Sequence, residues 1–252
     1  MEGMQTFGDG SFPYGLGRMV PTDVDGLADG VVKQLELAVT VGLLSDGERL
    51  PTEVKLAELL GVSTVTLRQG LSKLRDRGLV ETRRGRGGGS YICDSQNQGA
   101  DRALERLRSA SVDDLRDLGD ACAAAAGMSA RLAAKRGLES EFERLHARAD
   151  AFVTAESLSA RRRADSRFHI EIAVIGQSVR LATTIVPLLG ELASLRWDLD
   201  NGGSNEKSIA DHAKIVQAIT ERDADSAQMY AQDHFVREAR VLIDAHLRVS
   251  AH

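Results

Sequence analysis

Residues 50–92, LPTEVKLAELLGVSTVTLRQGLSKLRDRGLVETRRGRGGGSYI, constrain the fold more than any other stretch of the chain. Pro51 ends what precedes it. Thr52 then stands at the N-cap position of a short helical pattern whose Leu56, Leu59 and Leu60 share one face. Lys55 occupies the position where a capping box would place Glu, and Gly61 predicts a left-handed stop. Ser63 caps a second pattern, with Val65 or Thr66 and then Leu67, Leu71 and Leu74 turned inward. Two short helices joined through GVS have the proportions of a helix-turn-helix. Gly78 closes the second helix. LVETR then alternates as a strand, RGRGGG has the glycines of a tight turn, and SYIC returns as the partner strand.

This order of elements suits binding to double-stranded DNA. A recognition helix presents the side chains of its N-terminal half to base edges, and a hairpin wing touches the flanking backbone or minor groove. Arg83, Arg84 and Arg86 stand among glycines small enough for close approach to phosphates. The whole chain carries a net charge of −5, yet residues 64–92 hold seven basic residues against Asp76 and Glu81. One concentrated basic segment in an acidic protein fits a local polyanion site better than a diffuse sticky surface. The bland reading is a solvated helical hairpin followed by a basic loop; cap, turn, strand and wing arriving in sequence weigh against it. Upstream, Leu27, Val31, Leu35, Ala38 and Val39 form a further helical stripe, which Gly47 and Pro51 interrupt within LSDGERLP. The expected layout is a glycine-containing tail over 1–23, a winged helix-turn-helix over 24–93 and a polar linker over 94–100.

Beyond the linker the pattern changes. Helical stripes follow one another near 101–109, 112–136, 139–157, 159–175, 178–199, 206–221 and 223–248, with breaks at Ser111, Gly137, Gly176 with Ser178, the DNGGSN loop and Asp223. No strand pattern interrupts them, so an antiparallel bundle of six or seven helices is predicted over 101–250. The fold class is therefore mostly α, with one small β-hairpin. Only four prolines and 4% aromatic residues agree with that. No apolar run approaches the ~18 residues of a membrane span. The N-terminus lacks a basic-then-apolar leader, which gives a cytoplasmic expectation. Cys93 and Cys122 are then read as two buried, reduced thiols.

The histidines of the second region stand out. In ADSRFHIEI, Asp165 and His169 are four residues apart and project from one helix face. His212 in IADHAKIVQAI and His234 in YAQDHFVREA fall on two separate later helices. Three facing helices would bring one carboxylate and three imidazoles together, a set suited to Zn²⁺, Ni²⁺ or a similar divalent ion. On spacing alone, four polar residues at unrelated surface positions is the competing reading.

The segment 50–92 resembles the winged-helix domain of GntR-type bacterial transcription regulators. By that resemblance Arg68 falls at the DNA-binding arginine of the TTxRE motif, and Arg84 and Gly85 fall at the wing tip placed in the minor groove. Thr52, Ser63, Thr64, Thr66, Arg68, Gln69, Arg83, Arg84, Gly85 and Arg86 make up the implied DNA-contacting set. Two positions depart from the pattern. Val54 stands where the arginine of SER is usual, and Thr64 where the arginine of SRTT is frequent, so the usual operator is not expected unchanged. Thr64 and Thr66 can still bond phosphates or meet a thymine methyl, and Gln69, where Glu is usual, can pair with adenine.

Residues 101–250 resemble the all-helical FCD ligand domain of the FadR-like branch of the same family. The resemblance rests on Asp165 and His169 in a D-x-x-x-H motif, on His212 opening HAKIVQAI, and on His234 in the last helix. It implies that these four hold a divalent metal whose open positions take a small carboxylate effector. The pocket arginine of the first long helix is missing from GDACAAAAGM, where Cys122 and alanines stand instead. That wall implies either a roomier pocket or one closed by bulkier neighbours. Arg196 is an alternative carboxylate partner, since a guanidinium binds a carboxylate bidentately; a surface arginine beside Trp197 is the other reading.

The expected function is a transcription regulator, by family habit a repressor. It would bind a pseudo-palindromic operator as a homodimer under control of a small organic acid at the metal. A metal sensor without organic effector is the alternative. A metal-dependent hydrolase with a DNA-binding module is a further one, and it needs a base beside the metal; Glu171 and Asp211 lie near ligands in sequence, with nothing to mark either as poised.

Overall fold

A computed structural model describes residues 26–85, 87–93, 99–195 and 203–250. Among them the chain forms ten helices and one two-stranded antiparallel sheet, divided between two compact units.

The first unit holds α1 (Leu27–Thr40), α2 (Glu53–Leu60), α3 (Thr64–Asp76), β1 (Val80–Arg83) and β2 (Gly89–Ile92). Its helix ends follow their capping residues. The Thr52 hydroxyl accepts from the Lys55 amide and the Ser63 hydroxyl from the Thr66 amide, while Gly61 closes α2 in the left-handed conformation at φ 68°. The core is the meeting of the apolar stripes: Val31 and Leu35 from α1, Leu56 and Leu60 from α2, and Leu67, Leu71 and Leu74 from α3 are all buried. Gly70 lets α1 and α3 come close, because a Cβ there would stand 2.7 Å from Cγ1 of Val31. Of the two residues offered for the first inward position of α3, Val65 is 63% exposed and Thr66 is the half-buried one.

The wing pairs Val80 with Ile92, Glu81 with Tyr91, Thr82 with Ser90 and Arg83 with Gly89. Its sheet is broader than the sequence pattern suggests. The segment read only as a helix break pairs with β2 from the other side. The amides of Gly47 and Leu50 donate to the carbonyls of Ile92 and Ser90, the Ile92 amide donates back to Glu48, and Arg49 bridges Tyr91.

The second unit consists of α4 (Gly99–Ser109), α5 (Val112–Arg136), α6 (Glu139–Val153), α7 (Leu158–Ile175), α8 (Val179–Leu195), α9 (Gly203–Thr220) and α10 (Ala224–Ser250). Ser111 and Asp114 form a reciprocal capping box at the start of α5. Ser157 caps α7 through the Ala160 amide, which is why α6 ends at Val153 rather than running to 157. The long helices α5 and α10 pack face to face on small residues. A Cβ on Gly119 would fall 2.3 Å from Cβ of Ala239, and one on Gly127 would fall 2.5 Å from Cγ of Gln232. Cys122, Ala125, Ala126 and Ala130 are buried along α5. Gly119 and Gly127, which bracket DACAAAA within GDACAAAAGM, therefore admit α10 at close range. Cys122 is buried, with burial pushing its thiol up to about 12, while Cys93 is only half-buried and both are free. Among the described residues, no helix is long and apolar enough to cross a membrane.

Candidate metal centre and nucleic-acid interface

On the first unit, the periodicity of α3 separates two faces. Leu67, Gly70, Leu71 and Leu74 point into the core, whereas Val65, Arg68, Gln69 and Ser72 form an exposed stripe opposite them. The side chains of that face are already ordered by the protein. Nε of Arg68 donates to Glu53 at 2.6 Å, tying the second turn of α3 to the first turn of α2. The hydroxyls of Ser63 and Thr66 lie 2.8 Å apart, so both are engaged in the cap of α3, and Thr52 is engaged in the cap of α2. Thr64 is half-buried at the first position of α3.

In the wing, Nε of Arg83 bonds Glu81 at 2.5 Å and its guanidinium lies over the Tyr91 ring at 4.2 Å. Arg84 is exposed just before the turn, and Gly85 adopts φ 90°, which a side chain would resist. The Gly88 amide donates to Gly85 at 2.8 Å, and Tyr91 Oη donates to the Gly87 carbonyl, so the tip is a closed loop. Arg86 and Arg196 lie outside the described residues.

In the second unit, α7 supplies Asp165 and His169, α9 supplies His212 and α10 supplies His234. All four are buried, and their potential ligand atoms lie within 4.8 Å of one another. Nε2 of His169 faces Nε2 of His234 at 3.2 Å, and Nε2 of His212 is 3.3 Å from Oδ1 of Asp165. His169 Nε2 is 3.9 Å from the same oxygen. These spacings test the fit of an ion. Neighbouring ligands on a tetrahedral ion with bonds near 2.1 Å lie about 3.4 Å apart. On an octahedral ion, neighbours lie about 3.0 Å apart and opposite ligands about 4.2 Å. The short pairs lie near the spacing of neighbouring ligands in either geometry, so these side chains fit a divalent ion without selecting one geometry. Chemically the fit is good as well: two imidazole nitrogens pointed at each other require a shared proton or a cation between them. Nδ1 of His212 has no hydrogen-bond partner among the described residues although the residue is only 2% exposed, and Nε2 has the Asp165 carboxylate near it. Burial holds His212 below its ordinary histidine range, against the opposing pull of Asp165, which favours the neutral ring a metal needs.

The surroundings complete the centre. The rings of Phe168 and Phe152 lie 4.2 and 4.8 Å from that of His212, and Phe235 lies 4.6 Å from His169. These aromatic rings line the cluster with apolar surface. Nδ1 of His234 lies 3.5 Å from Asp211 and 3.1 Å from Arg237, whose guanidinium bonds Asp211 at 2.5 and 2.9 Å. An ion held through Nε2 of His234 would leave the ring proton on Nδ1, where Asp211 would accept it while Arg237 stays on the carboxylate. The contacts with His234 and then Arg237 hold the Asp211 carboxyl down at about 2. Sequence reasoning left this pair without a role. Its signal was present as an acid beside His212 and an arginine three residues after His234. Glu171, the other acid considered, is buried against Arg144 and Arg148 at 3.2 and 3.6 Å. Glu238, also buried, accepts from Ser208 at 3.2 Å and pairs with Arg237 at 3.1 Å.

Known proteins share both units. Residues 27–89 match the family model described as bacterial regulatory proteins, gntR family, and residues 117–237 match the FCD domain. A Mycobacterium gastri protein named as the HTH-type transcriptional regulator RmpR is 40% identical over 223 residues, covering 87% of this chain and 81% of its own. The Glc operon transcriptional activator of Escherichia coli K12 is 31% identical over 220 residues, covering 82% of this chain and 85% of its own. A solved GntR-family transcriptional regulator from Pseudomonas syringae pv. tomato shares the fold with a TM-score of 0.51 and 16% identity, covering 94% of each chain. The chain belongs to the GntR family of DNA-binding transcription regulators, with an FCD domain as its second unit.

Proposed function

We propose that operator binding by this regulator is controlled by a divalent ion held by Asp165, His169, His212 and His234, and by a small carboxylic acid that completes the ion's coordination. The observation that carries the reading is the convergence of four buried ligand groups from three helices. Four protein ligands on a five- or six-coordinate ion such as Ni²⁺, or on an expanded Zn²⁺ site, would leave positions for the acid. The ion supplies a fixed positive charge for the carboxylate; the chain orients His234 through Asp211 and lines the cluster with its phenylalanines. An acid alters operator affinity only so far as it binds the DNA-competent and the released states unequally.

On the DNA side, the proposal places α3 in the major groove, with Arg68 and Gln69 toward bases and Thr64 beside them. Arg83, Arg84, Gly85 and Arg86 of the wing meet the flanking backbone or minor groove. The caps Thr52 and Ser63 hold helix N-termini, whose amides favour phosphate. Two half-sites read by a homodimer multiply the few contacts of a single α3 through effective concentration. Whether the effect is repression or activation depends on where the operator lies against the promoter; the E. coli relative is named for activation.

A metal sensor without organic effector is the second reading, and a tetrahedral Zn²⁺ closed by all four ligands would be its signature. The hydrolase reading loses its bases: Glu171 is held by two arginines and Asp211 by His234 and Arg237. The deciding experiment is operator binding by full-length protein, stripped or loaded with Zn²⁺ or Ni²⁺, with and without a panel of small hydroxy- and keto-acids. An affinity that responds to acid only when metal is present supports the reading. An affinity that responds to metal alone selects the sensor, and one that responds to neither overturns both.

A further inference from the structure

Val65 is an apolar side chain in an unusual place. It sits in the first turn of α3, on the exposed stripe with Arg68, Gln69 and Ser72, and it is 63% exposed. On an ordinary surface a single exposed valine needs no explanation. Here three observations coincide. The stripe is opposite the buried stripe of α3, so the core formed by the described residues does not cover Val65. A β-branched residue lowers helix propensity, and at this position no burial offsets that cost. Arg68, one turn further along the same face, is oriented by Glu53, which makes this face the ordered and cationic side of the helix. Val54, the residue after Glu53, is a second exposed valine at 71%.

We propose that Val65 is a specificity-determining residue that packs against the 5-methyl group of a thymine in each half-site. The major groove offers an apolar side chain one kind of partner, because only thymine carries a methyl group on its groove edge. The N-terminal turn of a recognition helix is the part that reaches deepest toward base edges. Thr64 and Gln69 flank Val65 with groups able to bond the neighbouring base or phosphate, so the valine is placed where it has to meet a base edge. This inference rests on α3 being the helix that enters the groove, as proposed above.

The test uses full-length protein and duplexes selected by it from a pool with a random central sequence. Each thymine of the selected duplex is replaced in turn by deoxyuridine, which removes the methyl and leaves base pairing intact. Wild type should lose about fourfold in affinity at one thymine per half-site, corresponding to about 0.8 kcal/mol for one buried methyl. Val65→Ala should bind the thymine and uracil duplexes equally, with an unchanged salt slope because no phosphate contact is lost. Arg68→Ala should bind more weakly overall and keep the uracil penalty. If no thymine is sensitive, or if Val65→Ala retains the wild-type penalty, the assignment is overturned. If Arg68→Ala also binds like wild type, the placement of α3 in the groove falls with it. A Val65→Ala protein of unchanged helicity that loses only the methyl dependence supports the proposal.

Discussion

The described ion pairs of the first unit and the histidine cluster of the second lie in opposite surroundings. In the first unit, Arg68 with Glu53, Lys73 with Asp29 and Arg77 with Glu36 are exposed ion pairs. Such pairs contribute little to stability, so exchanging them for phosphates or base edges costs the fold little. The cluster of the second unit is buried. Asp165, His169, His212 and His234 sit among phenylalanines, where an uncompensated polar group is expensive. A cation bound only by the folded state would offset that cost. The contrast teaches that binding to the first unit should barely change its stability, whereas binding to the second should change it strongly.

The largest effect that would break this contrast is in the metal centre. His212→Ala should abolish stable metal uptake and remove the difference between melting curves recorded with Zn²⁺ or Ni²⁺ and with chelator. An ion present at about a thousandfold over its dissociation constant contributes about 4 kcal/mol to the wild-type bundle. Elemental analysis and calorimetry on both proteins check this, and a wild type that takes up neither ion and ignores chelator would end the metal reading. Asp211→Ala should weaken metal binding by roughly 10- to 100-fold while leaving the ligand set intact, because it removes the acceptor that fixes His234. Competition with a calibrated chelator measures that; equal affinities would reduce Asp211 to a surface partner of Arg237.

On the exposed side, Arg68→Ala should cost about 1–3 kcal/mol of specific DNA binding. Its melting temperature and metal content should match wild type, and a drop in either would show that the exposed pairs matter more to folding than the contrast allows. The smallest effect concerns acid. Because His212 titrates below its ordinary value in the folded protein, the unfolded chain takes up a proton there first as pH falls. The stability contributed by the neutral ring is therefore intact above about pH 6.5 and is lost as pH drops below it. Metal-free protein melted between pH 7.5 and 5.5 should lose stability more steeply than His212→Gln, which has no such proton to bind; parallel curves would refute the burial argument.

How far the sequence revealed these features depends on how locally each is encoded. Ser63, Gly61 and Gly78 act on neighbouring backbone, so the helix-turn-helix and its wing were legible. The pairing of residues 47–50 with β2 was not, because its partner lies some forty residues away and the side-chain pattern of LSDGERLP does not alternate. Val65 and Thr66 are consecutive, and an apolar count favours the valine; only the packing of α1 on Gly70 and its neighbours shows which of them turns outward. Asp165 and His169 declare their shared face by spacing alone. Their meeting with His212 and His234 depends on how three helices pack, which no single segment encodes. GDACAAAAGM left open a roomier pocket or one closed by bulkier neighbours for the same reason: what faces small residues is decided by how the helices pack.

The way in which α10 meets α5 has a further consequence for motion. Gly119 against Ala239 and Gly127 against Gln232 are two close-approach points about two helical turns apart. Like two pins through a hinge plate, they resist axial sliding of α10 and its rotation about its own axis. His234 lies between them, so in the proposed centre it would be the least mobile of the four groups. A rearrangement on ion binding would then fall on α7 and α9, which bring Asp165, His169 and His212. Amide exchange should accordingly stay slow and constant along α10 and change with metal along α7 and α9. Gly119→Ala, by forcing a methyl into the 2.3 Å gap, should loosen one pin at a cost of about 1–3 kcal/mol and let α10 join the movement.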